Sequence, residues 1–156
     1  MQLSELNALD REAAAREFLR CCGSTRWAKR MAAARPFTDT ESMARTADAV
    51  WAGLATADYL EAFAAHPRIG ERAASAWSSQ EQSGVTDPVR ERFAQLNRAY
   101  EARFGYIFII CATGRSGAEM LEALERRLGN DARRELTIAA EEQRRITRLR
   151  LDKLTS

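Results

Sequence analysis

The only histidine of this chain lies in His66-Pro67-Arg68-Ile69-Gly70, and Ser78, Glu81 and Gln82 follow soon after it. Imidazole is the one side chain whose ordinary pKa, about 6.5, falls near neutrality, so proton transfer at physiological pH would use it most economically. A residue before proline is pushed out of the right-handed helical region, which predicts that His66 closes a helix and stands at its rim. Pro67 fixes the backbone, Arg68 adds a cation and Gly70 permits a tight departure, so the loop is composed to hold one conformation. A lone histidine is more commonly a structural residue than a catalyst, and it is this setting that favours chemistry. On a helix Ser78, Glu81 and Gln82 would share a face and offer a hydroxyl, a carboxylate and an amide to one ligand. The same spacings also make two capping boxes, Ser78 with Glu81 and Ser79 with Gln82, which require no ligand.

Other chemistries find less support. One histidine without a paired cluster, and cysteines without ligand spacing, predict no metal site. Cys111 sits in an apolar run, where a thiol is usually an inert core residue. Gly114-Arg115-Ser116-Gly117 opens a helix but lacks both a GxGxxG pattern and a P-loop lysine, so it reads as a loop. The arginines from Arg126 to Arg150 are interleaved with Glu122, Glu125, Asp131, Glu135, Glu141, Glu142 and Asp152. That pattern predicts an ion-paired, solvated helix face in place of a nucleic-acid surface. Arg150 differs: between Leu149 and Leu151 its stem would be drawn toward an apolar surface, with its guanidinium fork aimed at a carboxylate.

The elements that must position these groups read as helices. Leu3, Leu6, Leu9, Ala13 and Phe18 form an opening stripe. Trp27, Met31 and Ala34 form a second, which stops before Pro36. Thr38 with Glu41 has capping-box spacing ahead of Met43, Ala47, Val50, Trp51 and Leu54, and Asp58 can start the helix of Tyr59, Leu60 and Phe63. Asp87-Pro88 predicts a helix start, with Val89, Phe93, Leu96 and Tyr100 following and Gly105 ending it. Residues 106–112 are apolar and β-branched, with no obvious second strand to pair with. They read as a short extended or buried piece whose backbone groups could serve a ligand. Ser116 and Glu119 cap a helix through Met120, Leu121, Leu124 and Leu128 that Gly129-Asn130 closes. An uninterrupted helix from Asp131 to about Leu154 should bury Leu136, Ala139, Ile146, Leu149 and Leu154. The expected fold is an all-α, single-domain helical bundle over residues 1–156.

A chain of 156 residues with a net charge of +2 is long enough for one core and has no strong pull toward nucleic acid or anionic lipid. Three cysteines without a framework suggest a reducing compartment. No apolar run approaches the roughly 20 residues of a membrane span, the amino terminus lacks a signal pattern, and the chain ends without Ser-Lys-Leu. A cytoplasmic protein is expected, without nucleic-acid or membrane partners.

The chain resembles the 2-oxo-4-hydroxy-4-carboxy-5-ureidoimidazoline (OHCU) decarboxylases of purine catabolism. The resemblance runs through Arg35-Pro36-Phe37, Glu61-Ala62-Phe63, His66 to Gly70, Ser78 with Glu81-Gln82 and Gly84, Leu96-Asn97, Tyr100, Phe104-Gly105, Phe108 to Ser116, and Leu149-Arg150-Leu151. It implies an all-helical, typically homodimeric, cofactor-independent decarboxylase that makes (S)-allantoin and carbon dioxide. It further implies that His66 and Glu81 form the acid/base pair and that Arg150 holds an anionic group. Ser78 and Gln82 would bond polar edges of the substrate. Ile109, Ile110, Cys111, Ala112 and Thr113 would offer backbone groups, with Pro67 packing nearby. A helical interaction module without a competent His66 and Glu81 pair is the rival reading, and here both residues are present.

Overall fold

The computed structural model describes residues 1–70 and 87–156, which contain eight helices and no strand. In chain order these are α1 (Leu3–Ala8), α2 (Arg11–Cys21), α3 (Thr25–Ala34), α4 (Thr40–Ala52), α5 (Thr56–Ala64), α6 (Asp87–Phe104), α7 (Gly117–Arg127) and α8 (Ala132–Leu154). The all-α expectation is met. Residues 107–112 belong to no helix, which decides between the extended piece and the buried helix end that their composition leaves open. The described chain forms two compact units, Met1–Ala62 with Arg144–Ser156, and Phe63–Gln143.

In the first unit, Phe18 meets the edges of Trp27 at 6.0 Å and Phe37 at 6.3 Å, and Trp27 Nε1 donates to the Ala47 carbonyl at 3.1 Å. An aromatic core and one buried bond thus fix α3 against α4. Arg35 donates to the Leu6 and Leu9 carbonyls, each at 2.7 Å, and so satisfies the end of α1. Asn7 clamps both backbone groups of Phe37 at 3.0 Å. Glu61 accepts from the Thr25 amide and hydroxyl and places a carboxylate at the start of α3. Arg35, Phe37 and Glu61, all residues of the motifs singled out in the sequence, therefore have structural work in this unit.

Several local expectations need correction. Asp39, not Thr38, caps α4 by accepting from the Ser42 amide at 2.6 Å; an acceptor one residue nearer the helix takes the N-cap position. Asp58 lies inside the first turn of α5 and reaches back to the Ala55 amide. The α3 stripe runs through Trp27, Ala28, Met31 and Ala32, leaving Ala34 exposed, and Leu60 is also exposed. The capping box at Ser116 and Glu119 forms as read, and Gly105 ends α6 at φ +83°.

The second unit packs Ile69, Phe93, Tyr100, Phe108, Ile110, Ala112, Met120, Ala123 and Leu124 together. Beside them lies an unforeseen polar cluster. Glu135, fully buried, accepts from Arg127 Nε at 2.6 Å and from the Tyr100 hydroxyl at 2.8 Å, while Asn130 Nδ2 reaches its other oxygen at 3.1 Å. The interleaved charges of the sequence predict a solvated face for Arg127 and Glu135. They are instead a desolvated pair, because each charge is matched and hydrogen-bonded inside the unit.

Candidate active site

α5 ends at Ala64, and the His66 amide donates to the Phe63 carbonyl at 3.1 Å, so the imidazole stands just beyond the helix as the following proline demands. The loop is then anchored to α6 at three points. Arg68 grips Glu101 through Nε at 2.9 Å and Nη2 at 2.7 Å. Asn97, itself buried, donates to the Ile69 carbonyl at 3.0 Å. Gly70 turns away at φ +92°, where a Cβ would sit 3.3 Å from the Phe93 Cβ; this position needs glycine for both conformation and space.

The imidazole has a specific partner: His66 Nε2 and Gln143 Oε1 lie 2.6 Å apart, and Gln143 is fully buried on α8. The next residue along the same helix, Glu142, pairs with Arg115 at 3.1 Å. Arg115 follows the 109–113 segment, so consecutive residues of α8 hold both the histidine loop and the end of that segment. The segment is further fixed by Arg127 Nη1, which donates to the Ile109 carbonyl at 2.7 Å, and by the Arg115 amide on the Ala112 carbonyl. Ile109, Ile110, Cys111 and Ala112 are buried and Thr113 is exposed. Among the described residues, the amides of Ile109, Ile110, Ala112 and Thr113 donate to no protein acceptor, although their carbonyls are partly engaged. Donors of this kind suit the polar edge of a ligand.

Arg150 lies in the first unit, 9% exposed, with Nη1 3.5 Å from the Arg20 carbonyl. Its charge draws down the thiols of Cys21 and Cys22, but burial dominates and pushes them up to about 12 and about 11. Ser78, Glu81 and Gln82 lie outside the described residues. Among the described residues no three His, Cys, Asp or Glu side chains group as metal ligands.

A cavity of about 380 Å³ in the second unit is lined by Arg68, Gly70, Arg90, Asn97, Arg98 and Glu101, among others. It contains the anchors of the loop and none of the assigned site residues, so it is not the candidate site. Sequence reasoning missed Asn97 as an anchor, Gln143 as the histidine partner and Arg127 as a clamp.

Fold and loop together define a class: among the described residues, an all-helical protein with its only histidine on an anchored loop and a non-helical backbone segment over residues 107–112. The model of the OHCU decarboxylase family matches residues 7–152. The chain is 41% identical over 147 residues to the uric acid degradation bifunctional protein TTL of Arabidopsis thaliana, covering 87% of this chain but only 45% of that protein. It is 26% identical over 158 residues to a 2-oxo-4-hydroxy-4-carboxy-5-ureidoimidazoline decarboxylase of Haloferax volcanii, covering 97% and 94% of the two chains. A crystal structure of OHCU decarboxylase in the presence of (S)-allantoin matches with a TM-score of 0.82 and 41% identity, over 89% of this chain and 96% of that one. The chain belongs to the OHCU decarboxylase family, the carboxy-lyases of uric acid degradation.

Proposed function

We propose that this chain converts OHCU to (S)-allantoin and carbon dioxide, with His66 and Glu81 as the acid/base pair. The substrate contains its own electron sink. As the bond to the carboxylate breaks, its electron pair moves through the ring to the imine nitrogen, which takes up a proton and leaves an enol. Tautomerisation then moves a proton onto the former imine carbon. Delivery to one face gives a single enantiomer, whereas reaction in water gives a racemate. No cofactor is required for this chemistry. The protein must orient the ring, move protons and exclude the other face.

Arg150 binds the substrate anion through its fork. Glu81 bears on the hydroxyl proton, and His66 exchanges a proton with the ring. Ser78 and Gln82 bond the polar edges, Ile109 to Thr113 present amides, and Pro67 packs against the ring. The 156 residues work as one domain, a reading supported by the family match across residues 7–152, which runs through both units, and the protein acts as a cytoplasmic homodimer. No helix of the described residues is long and apolar enough to cross a membrane.

The observation that carries the reading is the imidazole of the chain's only histidine, held at 2.6 Å by a buried side chain on an anchored loop. The test is circular dichroism at allantoin wavelengths during urate breakdown with urate oxidase and hydroxyisourate hydrolase present. Wild-type protein should give rapid (S)-allantoin. His66→Ala should lose about 10²-fold or more in rate, the usual contribution of a positioned acid or base. Full turnover by His66→Ala would refute the assignment.

A further inference from the structure

We infer that Arg127 is a positioning residue: by holding the Ile109 carbonyl it turns the Ile110 N–H to the opposite side of the backbone, where that amide donates to the substrate. This role rests on the decarboxylase reading, in which residues 109–113 meet the substrate. The Ile109–Ile110 peptide is trans, so it is planar with its C=O and N–H pointing in opposite directions. Whatever fixes the Ile109 oxygen therefore fixes the direction of the Ile110 hydrogen. Arg127 Nη1 donates to that oxygen at 2.7 Å. On the far side of the same peptide, the Ile110 amide donates to no protein acceptor among the described residues, although Ile110 is only 3% exposed. A buried donor in that state costs free energy until something bound accepts from it.

The guanidinium itself has little freedom. Its Nε donates to Glu135 at 2.6 Å, and its central carbon lies 4.5 Å from the centroid of the Phe108 ring. Arg127 therefore touches two consecutive residues of the segment. Glu135 is locked in turn by the Tyr100 hydroxyl and by Asn130 Nδ2. All of these groups belong to the second unit. The Ala112 carbonyl is also held, but by the Arg115 amide in a local turn, whereas the Ile109 carbonyl depends on a side chain 18 positions away. A charged donor on a carbonyl polarises the peptide as well, which strengthens its N–H as a donor. Both the direction and the strength of the Ile110 amide are set before any substrate arrives.

The chain has six isoleucines, few enough for this amide to be read directly. In protein labelled with ¹⁵N-isoleucine, saturating (S)-allantoin should move the Ile110 N–H downfield in a ¹H–¹⁵N correlation spectrum, as a newly formed hydrogen bond does. Arg127→Met alone leaves Glu135 uncompensated, so it is combined with Glu135→Leu, and urea unfolding reports the folding of the double variant separately. The double variant should lose the Ile110 response and about 10-fold or more in kcat/KM. Arg127→Lys keeps a cation for Glu135 without the fork, and it should lose the response too; a role confined to charge pairing would be restored by lysine. Three results would overturn the inference while leaving the decarboxylase standing: an Ile110 amide unmoved in wild-type protein that turns OHCU over, a wild-type response in Arg127→Lys, or a folded double variant that keeps either the response or kcat/KM. If the wild-type protein gives no stereospecific turnover, the decarboxylase reading falls and the role of Arg127 falls with it.

Discussion

A guanidinium and an ammonium carry the same charge but present it differently, and Arg150 is where that difference should be measurable. Its side chain is almost wholly buried, and the fork form suits two parallel bonds to a carboxylate. Arg150→Lys keeps the charge but offers only a compact ammonium on a shorter reach. Steady-state kinetics should show KM raised by about 10-fold or more, the loss of one good charged bond. An unchanged KM would remove Arg150 from substrate binding. Residues differ in how openly the sequence declares them. His66 was legible because proline and glycine beside it restrict the backbone in a way that can be read locally. Gln143 was not, because a glutamine within a charged helix looks like surface until tertiary packing buries it. Asn97 was visible as a motif residue, but its bond to the Ile69 carbonyl joins positions 28 apart, and no local pattern encodes that pairing.

At the scale of elements, helix ends were read best, since caps and breakers act within four residues. Ser116 with Glu119, Pro36 and Gly105 all do what their types predict. The failure at Thr38 had a local cause, a better acceptor at Asp39. The failure at Arg127 and Glu135 had a tertiary one: they lie on successive helices across the Gly129-Asn130 turn, so helical spacing rules do not apply. This buried pair joins α7, α8, Tyr100 on α6 and the Ile109 carbonyl. Removing one partner leaves a buried charge uncompensated, and Glu135→Leu should cost about 3–5 kcal/mol in urea unfolding. Replacing both, as Arg127→Met with Glu135→Leu, should recover much of that loss because two desolvated charges disappear together. Activity should not recover in parallel, since the methionine cannot hold the Ile109 carbonyl. Recovery of full turnover by the double variant would show that the 109–113 segment needs no such clamp.

The whole molecule raises the question of whether its two compact units unfold as one, and alkaline pH offers a way to ask. Burial raises the thiols of Cys21 and Cys22 to about 12 and about 11 in the first unit, and it raises the Tyr100 phenol in the second, where the bond to Glu135 adds to the effect. Each group is therefore held in its neutral, protonated form by the fold. For an acid whose folded pKa is raised, the stabilisation is complete below the unfolded value, about 9 for a thiol and about 10 for tyrosine, and is lost as pH climbs toward the folded value. The unfolded chain releases these protons first, so stability must fall as pH rises past about 9. Two probes follow the fall. Trp27 and Trp51 lie in the first unit, so tryptophan fluorescence in a Trp77→Phe background reports on it alone. Hydrogen exchange of α7 amides reports on the second. In denaturant at increasing pH the two transitions should move down together, because a domain that folds as one cooperative body gives coincident transitions whichever unit is titrated. Two separated transitions would mean that the 156 residues are two folding bodies, and the single-domain reading would have to be abandoned even if the decarboxylase activity stood.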